Sequence, residues 1–357
     1  MRRLARTVRN FVLDPMVLIC AACMIVALLI PFIWGDLVFG AGTMRVNQLA
    51  ASAREGISVD IGTLDEEVTT LRSDYYRERA EESERQAQRE PDYRGKAYDE
   101  AISTLACYLA DHSDQAFATS ALMPLVVYLP LAMSRMPGFF WFFPSVLFVV
   151  RTVSLLRNRG LIRRAPRIRD GGVPLVLGSG VAGLMLVLLA SILPVAAVIG
   201  FANGLGDPSY PVMFLRDGGL VVREALPTLV QSLAFLLVGN WAFYLLGSTL
   251  YCVGCGKAAS LLSPLLILGL ASAPEVVAAW RLPDWLVVAI PSTYARFSDV
   301  IGYAGCFPTE MGPAAFPLHA VAGVGLVVFL SIGTVSAVAA VVVERLRGGR
   351  IVERARQ

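Results

Sequence analysis

Long uncharged apolar runs alternate with short charged segments along this chain. A helix needs about 20 apolar residues to cross the hydrocarbon core of a bilayer. Five runs meet that length cleanly: 16–39, 173–202, 226–250, 261–280 and 316–343. A sixth, within 121–156, is broken by Pro124, Pro130, Arg135 and Pro137. Its first part, 122–133, is too short to cross. Its second, 139–156, crosses if Arg151 extends toward the interface. The expectation is one crossing here, preceded by a segment in or near the outer interface.

Between the first two crossings, residues 40–118 carry sixteen acidic and nine basic side chains. Leu64, Val68, Leu71 and Tyr75 recur at helical spacing, and 78–90 then reads as polar all round until Pro91. Tyr98, Ile102, Leu105 and Leu109 mark a second amphipathic helix. The fold class expected is therefore all-α and polytopic, with six transmembrane helices and a small helical extracytoplasmic insert between helices 1 and 2. Residues 1–39 form the N-terminus and first crossing, 40–118 the insert, and 119–357 crossings two to six.

Charge sets the orientation. Arginine and lysine are enriched in short cytoplasmic loops. Six crossings with the N-terminus inside put Arg2, Arg3, Arg6 and Arg9 in the cytoplasm. Arg151, Arg157, Arg159, Arg163, Arg164, Arg167 and Arg169 join them, with Lys257 and the tail arginines 345, 347, 350, 354 and 356. The two short outer loops keep only Arg216, Arg223, Arg281 and Arg296. A separate crossing at 122–133 would expel the arginine cluster, so six crossings fit better. The run 16–39 exceeds the 7–15 apolar residues of a cleavable signal, so it reads as an anchor. Both termini are expected in the cytoplasm and the chain in the plasma membrane.

Composition agrees. Of 357 residues, 56 % are apolar and 17 % charged, against about a quarter charged in soluble domains. The net charge of +3 gives no reason to expect nucleic acid as a partner.

Candidate chemistry is sparse. Gly178, Gly180 and Gly183 match G-x-G-x-x-G, but no βαβ unit surrounds them and the next acid is Asp207. They read as small residues that let membrane helices approach. Gly254-Cys255-Gly256-Lys257 lacks the earlier glycine and the Ser or Thr of a phosphate loop. No catalytic residue, metal site or cofactor is expected, and the chain is not expected to be an enzyme. The pairs Cys20/Cys23 and Cys252/Cys255 read as small packing residues. Cys107 and Cys306 both fall on the outer side, where a disulfide between them could persist. Glu275 is the one titratable residue well within an expected span, and Asn240 and Gln231 add neutral polarity. The loop 203–224 holds a turn-rich stretch at 206–211. Residues 285–290, flanked by Trp280 and Trp285, suit a re-entrant segment.

The basic run 151–169 serves either as a lipid-contacting topogenic loop or as a docking surface for a cytosolic partner, and one does not exclude the other. Six crossings, an outer insert after the first and a cytoplasmic segment after the second resemble an ABC-2-type exporter permease. The loop 206–211 before an apolar helix is similar to that of bacterial permeases of this class. The resemblance implies two permeases, homodimeric or heterodimeric, and a separate cytosolic ATP-binding subunit docked on 151–170. Arg157, Arg159, Arg163 and Arg164 are the candidate docking residues. Such relatives commonly carry a glutamate near the start of this segment, whereas every charge from Arg151 to Arg169 is basic. The alternatives are a non-transporting sensor or scaffold with an extracytoplasmic binding domain, and an ion-coupled transporter. The sequence names no substrate.

Overall fold

The computed structural model describes residues 8–9, 11–33, 66–89, 103, 106–108, 110–111, 124–134, 138–158, 172–206, 208–209, 211–216, 219–272, 283–295 and 322–354. The described chain is almost entirely helical. The helices are α1 (Pro15–Ile33), α2 (Glu66–Arg89), α3 (Leu125–Ser134), α4 (Gly138–Asn158) and α5 (Gly172–Asn203), then α6 (Ala225–Val253), α7 (Gly256–Ser272), α8 (Asp284–Ala289), α9 (Pro291–Ala295) and α10 (Ala322–Arg354). A two-stranded hairpin, β1 (Pro211–Arg216) and β2 (Gly219–Glu224), lies between α5 and α6.

Three stretches are long and apolar enough to cross a membrane: Val173–Asn203, Ala225–Val253 and Gly323–Val343. Shorter apolar helices occupy Pro15–Leu29, Phe140–Leu156 and Gly256–Leu270. Large apolar side chains also face outward from the bundle, including Leu193 and Phe201 on α5 and Val335 and Val338 on α10. Water would penalise such a surface, whereas lipid does not. These are the features of a membrane protein.

Helix α6 is the hub. It packs against α10, α4 and α7, and also against α3, α5 and the hairpin. Half of its most apolar 18-residue stretch is buried, against 22 % for α10. Its contacts also show that the long helices run in alternating directions. At one end, Phe11 before α1 stacks on Phe148 late in α4, and Tyr244 late in α6 reaches Thr152 of α4 and Leu177 early in α5. Thr249 of α6 donates to the Ser336 carbonyl in the second half of α10's apolar stretch, 3.0 Å. At the opposite end, the Tyr128 hydroxyl of α3 donates to the Leu28 carbonyl late in α1, 2.6 Å. There Phe235 of α6 meets Phe329 early in α10, and Asn240, midway along α6, binds the Trp141 carbonyl early in α4.

Tight connections enforce part of this alternation. Only Gly254 and Cys255 separate α6 from α7. Gly254 takes φ 104°, its N–H bonds Tyr251 O, and the Cys255 N–H bonds Leu250 O, both 3.1 Å. That is a Schellman ending, which favours glycine because a Cβ is strained at positive φ.

Several details differ from the sequence reading. The loop 203–224 holds not only its turn at 206–211 but a hairpin, with Arg216 paired to Gly219 and Pro211 to Glu224. Asp217-Gly218 falls between the two apolar strands, the strongest short hairpin signal a sequence carries. Residues 78–90 are not polar all round, since Ala80 and Ala87 of α2 are buried, continuing a line from Tyr76. Alanine adds little to a hydropathy pattern, so the narrow seam is invisible at that level. In the pieces 106–108 and 110–111, Ala106 and Ala110 are likewise buried, while Tyr98, Ile102, Leu105 and Leu109 lie outside the described residues. Helix α3 is separate from α4 and, at 10 residues or about 15 Å, too short to cross. It packs into the bundle against α1, α5 and α6. The apolar stretch 285–290 forms α8 and the turn into α9, and α9 packs on α4, α7 and α10.

Glycine sets the approach of α10 to α6. A Cβ on Gly333 would sit 2.1 Å from the Trp241 ring, whereas one on Gly323 meets nothing within 4 Å. Gly333→Ala is therefore expected to destabilise the protein by about 1–3 kcal/mol, with Gly323→Ala near neutral. Thermal unfolding of the two variants in lipid nanodiscs checks this.

Candidate functional site

The arginines expected to dock a partner sit between α4 and α5. Arg157 lies in the last turn of α4, while Arg159, Arg163 and Arg164 lie outside the described residues. The structure does describe how the root of this segment is anchored, at α4 up to Asn158 and α5 from Gly172.

The first anchor is ionic. Arg151 Nε lies 3.3 Å from Asp14 Oδ2, and the two side chains are 36 % and 17 % exposed. Asp14 Oδ1 accepts the Met16 N–H at 3.1 Å. One carboxylate thus caps the start of α1, with Pro15 at the first helical position, and also holds α4. The sequence reading sent Arg151 to the interface without naming a counter-ion. The Asp14-Pro15 pair before an apolar run is a helix-start signal that could have singled out Asp14.

The second anchor is aromatic. Phe11 and Phe148 are both fully buried and stack with centroids 5.5 Å apart and planes 2° from parallel. Phe148 in turn meets the Tyr244 ring edge-on at 6.4 Å. Each such pair contributes about 0.5–1.5 kcal/mol beyond area burial.

The third anchor is a hydrogen-bond junction of three helices. The Tyr244 hydroxyl of α6 donates to the Leu177 carbonyl of α5 at 3.3 Å and lies 2.9 Å from Thr152 Oγ1 of α4. With its one proton given to Leu177, the tyrosine oxygen accepts from Thr152. A Cβ on Gly180 would lie 1.9 Å from that hydroxyl, and one on Gly183 would press on Phe148 and Phe11 at 3.0 and 3.2 Å. Gly180 and Gly183 therefore permit close helix approach, as read from the sequence. Gly178 meets nothing within 4 Å and does not.

Tyr244 belongs to a longer pattern. Thr228, Ser232, Asn240, Tyr244 and Ser248 are all buried on α6 and fall on one four-residue repeat, with Leu236 completing the row. Four residues turn an α-helix by 400°, so the row drifts about 40° per step. It therefore winds around α6 and faces different neighbours in turn. Thr228 and Ser232 donate to the carbonyls of Glu224 and Thr228, four residues back. Asn240 reaches across to Trp141 O at 2.9 Å.

The cysteines divide. Cys252 is buried, as packing would require, but Cys255 and Cys23 are exposed and Cys20 is half-buried. The sequence pattern alone could not distinguish the two faces of each helix. Cys107 is exposed, and Cys306 lies outside the described residues, as does Glu275. Lys257 is exposed in the first turn of α7, at the same end of the bundle as Asp14 and Arg151.

Because Asp14 serves two helices, Asp14→Ala is expected to cost about 1–2 kcal/mol, more than Arg151→Gln. The double variant should fall short of the sum of the two single losses. A double-mutant cycle on thermal unfolding in nanodiscs measures the difference. Gly180→Ala should likewise destabilise by about 1–3 kcal/mol while Gly178→Ala stays near wild type.

Comparison of the chain with family models, with curated proteins and with solved structures finds no match.

Proposed function

We propose that the chain is the membrane-spanning permease subunit of an ATP-driven exporter. In this reading α1, α4, α5, α6, α7 and α10 are the six crossings, both termini are cytoplasmic, and the membrane is the plasma membrane. A second permease subunit, identical or related, completes the pathway. A separate cytosolic ATP-binding subunit docks on residues 151–170, and hydrolysis belongs to that partner.

The observation that carries the reading is the anchoring of the basic segment's root. Asp14, Phe11, Tyr244 and Thr152 tie the helices on both sides of the arginines to α1 and α6. Motion imposed on the segment would therefore pass into four long helices together. A loop that only holds topology needs charge but no such junction. The alternating helix directions also support it, since they gather Arg9, Arg151, Lys257 and the charged end of α10 at one end of the bundle. Arginines resist transfer across lipid, so that end is the cytoplasmic one. Every charge from Arg151 to Arg169 is basic, so the partner's docking face is acidic. On the outer side, a Cys107–Cys306 disulfide would tie the insert to the loop before α10.

Two experiments test the reading. Reversing Arg157, Arg159, Arg163 and Arg164 to glutamate should abolish co-purification with a cytosolic P-loop ATPase. If the wild-type chain brings down no such ATPase, or the reversed chain still does, the docking role fails. A cysteine placed at Arg163 should resist a membrane-impermeant maleimide on intact cells and react once the cells are opened. Strong labelling of intact cells would overturn the topology. A mass increase on reduction and alkylation, absent from Cys107→Ser, is the expected signature of the disulfide.

A further inference from the structure

We draw no further inference here: the strongest candidate, the exposed apolar stripe of Val327, Leu330, Val335, Val338 and Val342 along α10, carries nothing because no feature of the structure shows what covers it, lipid or a second copy of the chain.

Discussion

A hydroxyl sealed between packed helices must find its hydrogen bonds in protein, and the Tyr244 hydroxyl imposes that demand on its surroundings. Its partners come from two other helices, Thr152 on α4 and Leu177 on α5. Meeting both fixes the rotation of α6 and brings the α5 backbone so near that position 180 has no room for a side chain. Phe148 then lies edge-on to Tyr244, Phe11 stacks on Phe148, and Gly183 makes room for both rings. Cost and specificity share one source here. Low polarity makes an unmet hydroxyl expensive, and for the same reason the met one is selective about geometry.

The junction lies near the base of the arginine-bearing segment, on both of its sides. Thr152 precedes the end of α4 by less than two turns, and Leu177 follows the start of α5 by a similar distance. Asp14 adds an ionic tie from the start of α1. Both roots of the segment are thus tied to neighbouring helices by directional contacts. The opposite end is built differently. Around Phe329 the contacts are aromatic, from Phe142, Phe235, Phe243 and Tyr294. Directional bonds are present there as well, from Tyr128 to the Leu28 carbonyl and from Trp141 to the Met133 carbonyl.

Glycine and alanine do much of the work of bringing helices together. Gly239, Gly247 and Gly333 on α6 and α10 each lie against a neighbour's side chain or backbone at a distance that excludes a Cβ. In lipid, apolar side chains gain little from leaving their solvent, so association depends on close backbone approach. In α2, Tyr76, Ala80 and Ala87 are the buried positions of an otherwise charged helix.

Hydropathy alone located the apolar helices, because the energetic gap between apolar and charged groups in hydrocarbon is large enough to read from composition. Arginine placement grouped the N-terminus, the segment near residue 160 and the tail, and the alternating helix directions are consistent with that grouping. What residues 211–224 and 76–87 would do was harder to read, since a hairpin rests on pairing and an alanine seam on a neighbour's shape. Asp14 and Tyr244 were least legible. One looked like a stray acid beside arginines and the other like an aromatic residue in an apolar run. Their importance arises only when Arg151, Thr152 and Leu177 are brought beside them from distant parts of the chain. Periodicity reports which residues avoid water, whereas a hydrogen bond or ion pair depends on distances of about 3 Å that only the packed helices define.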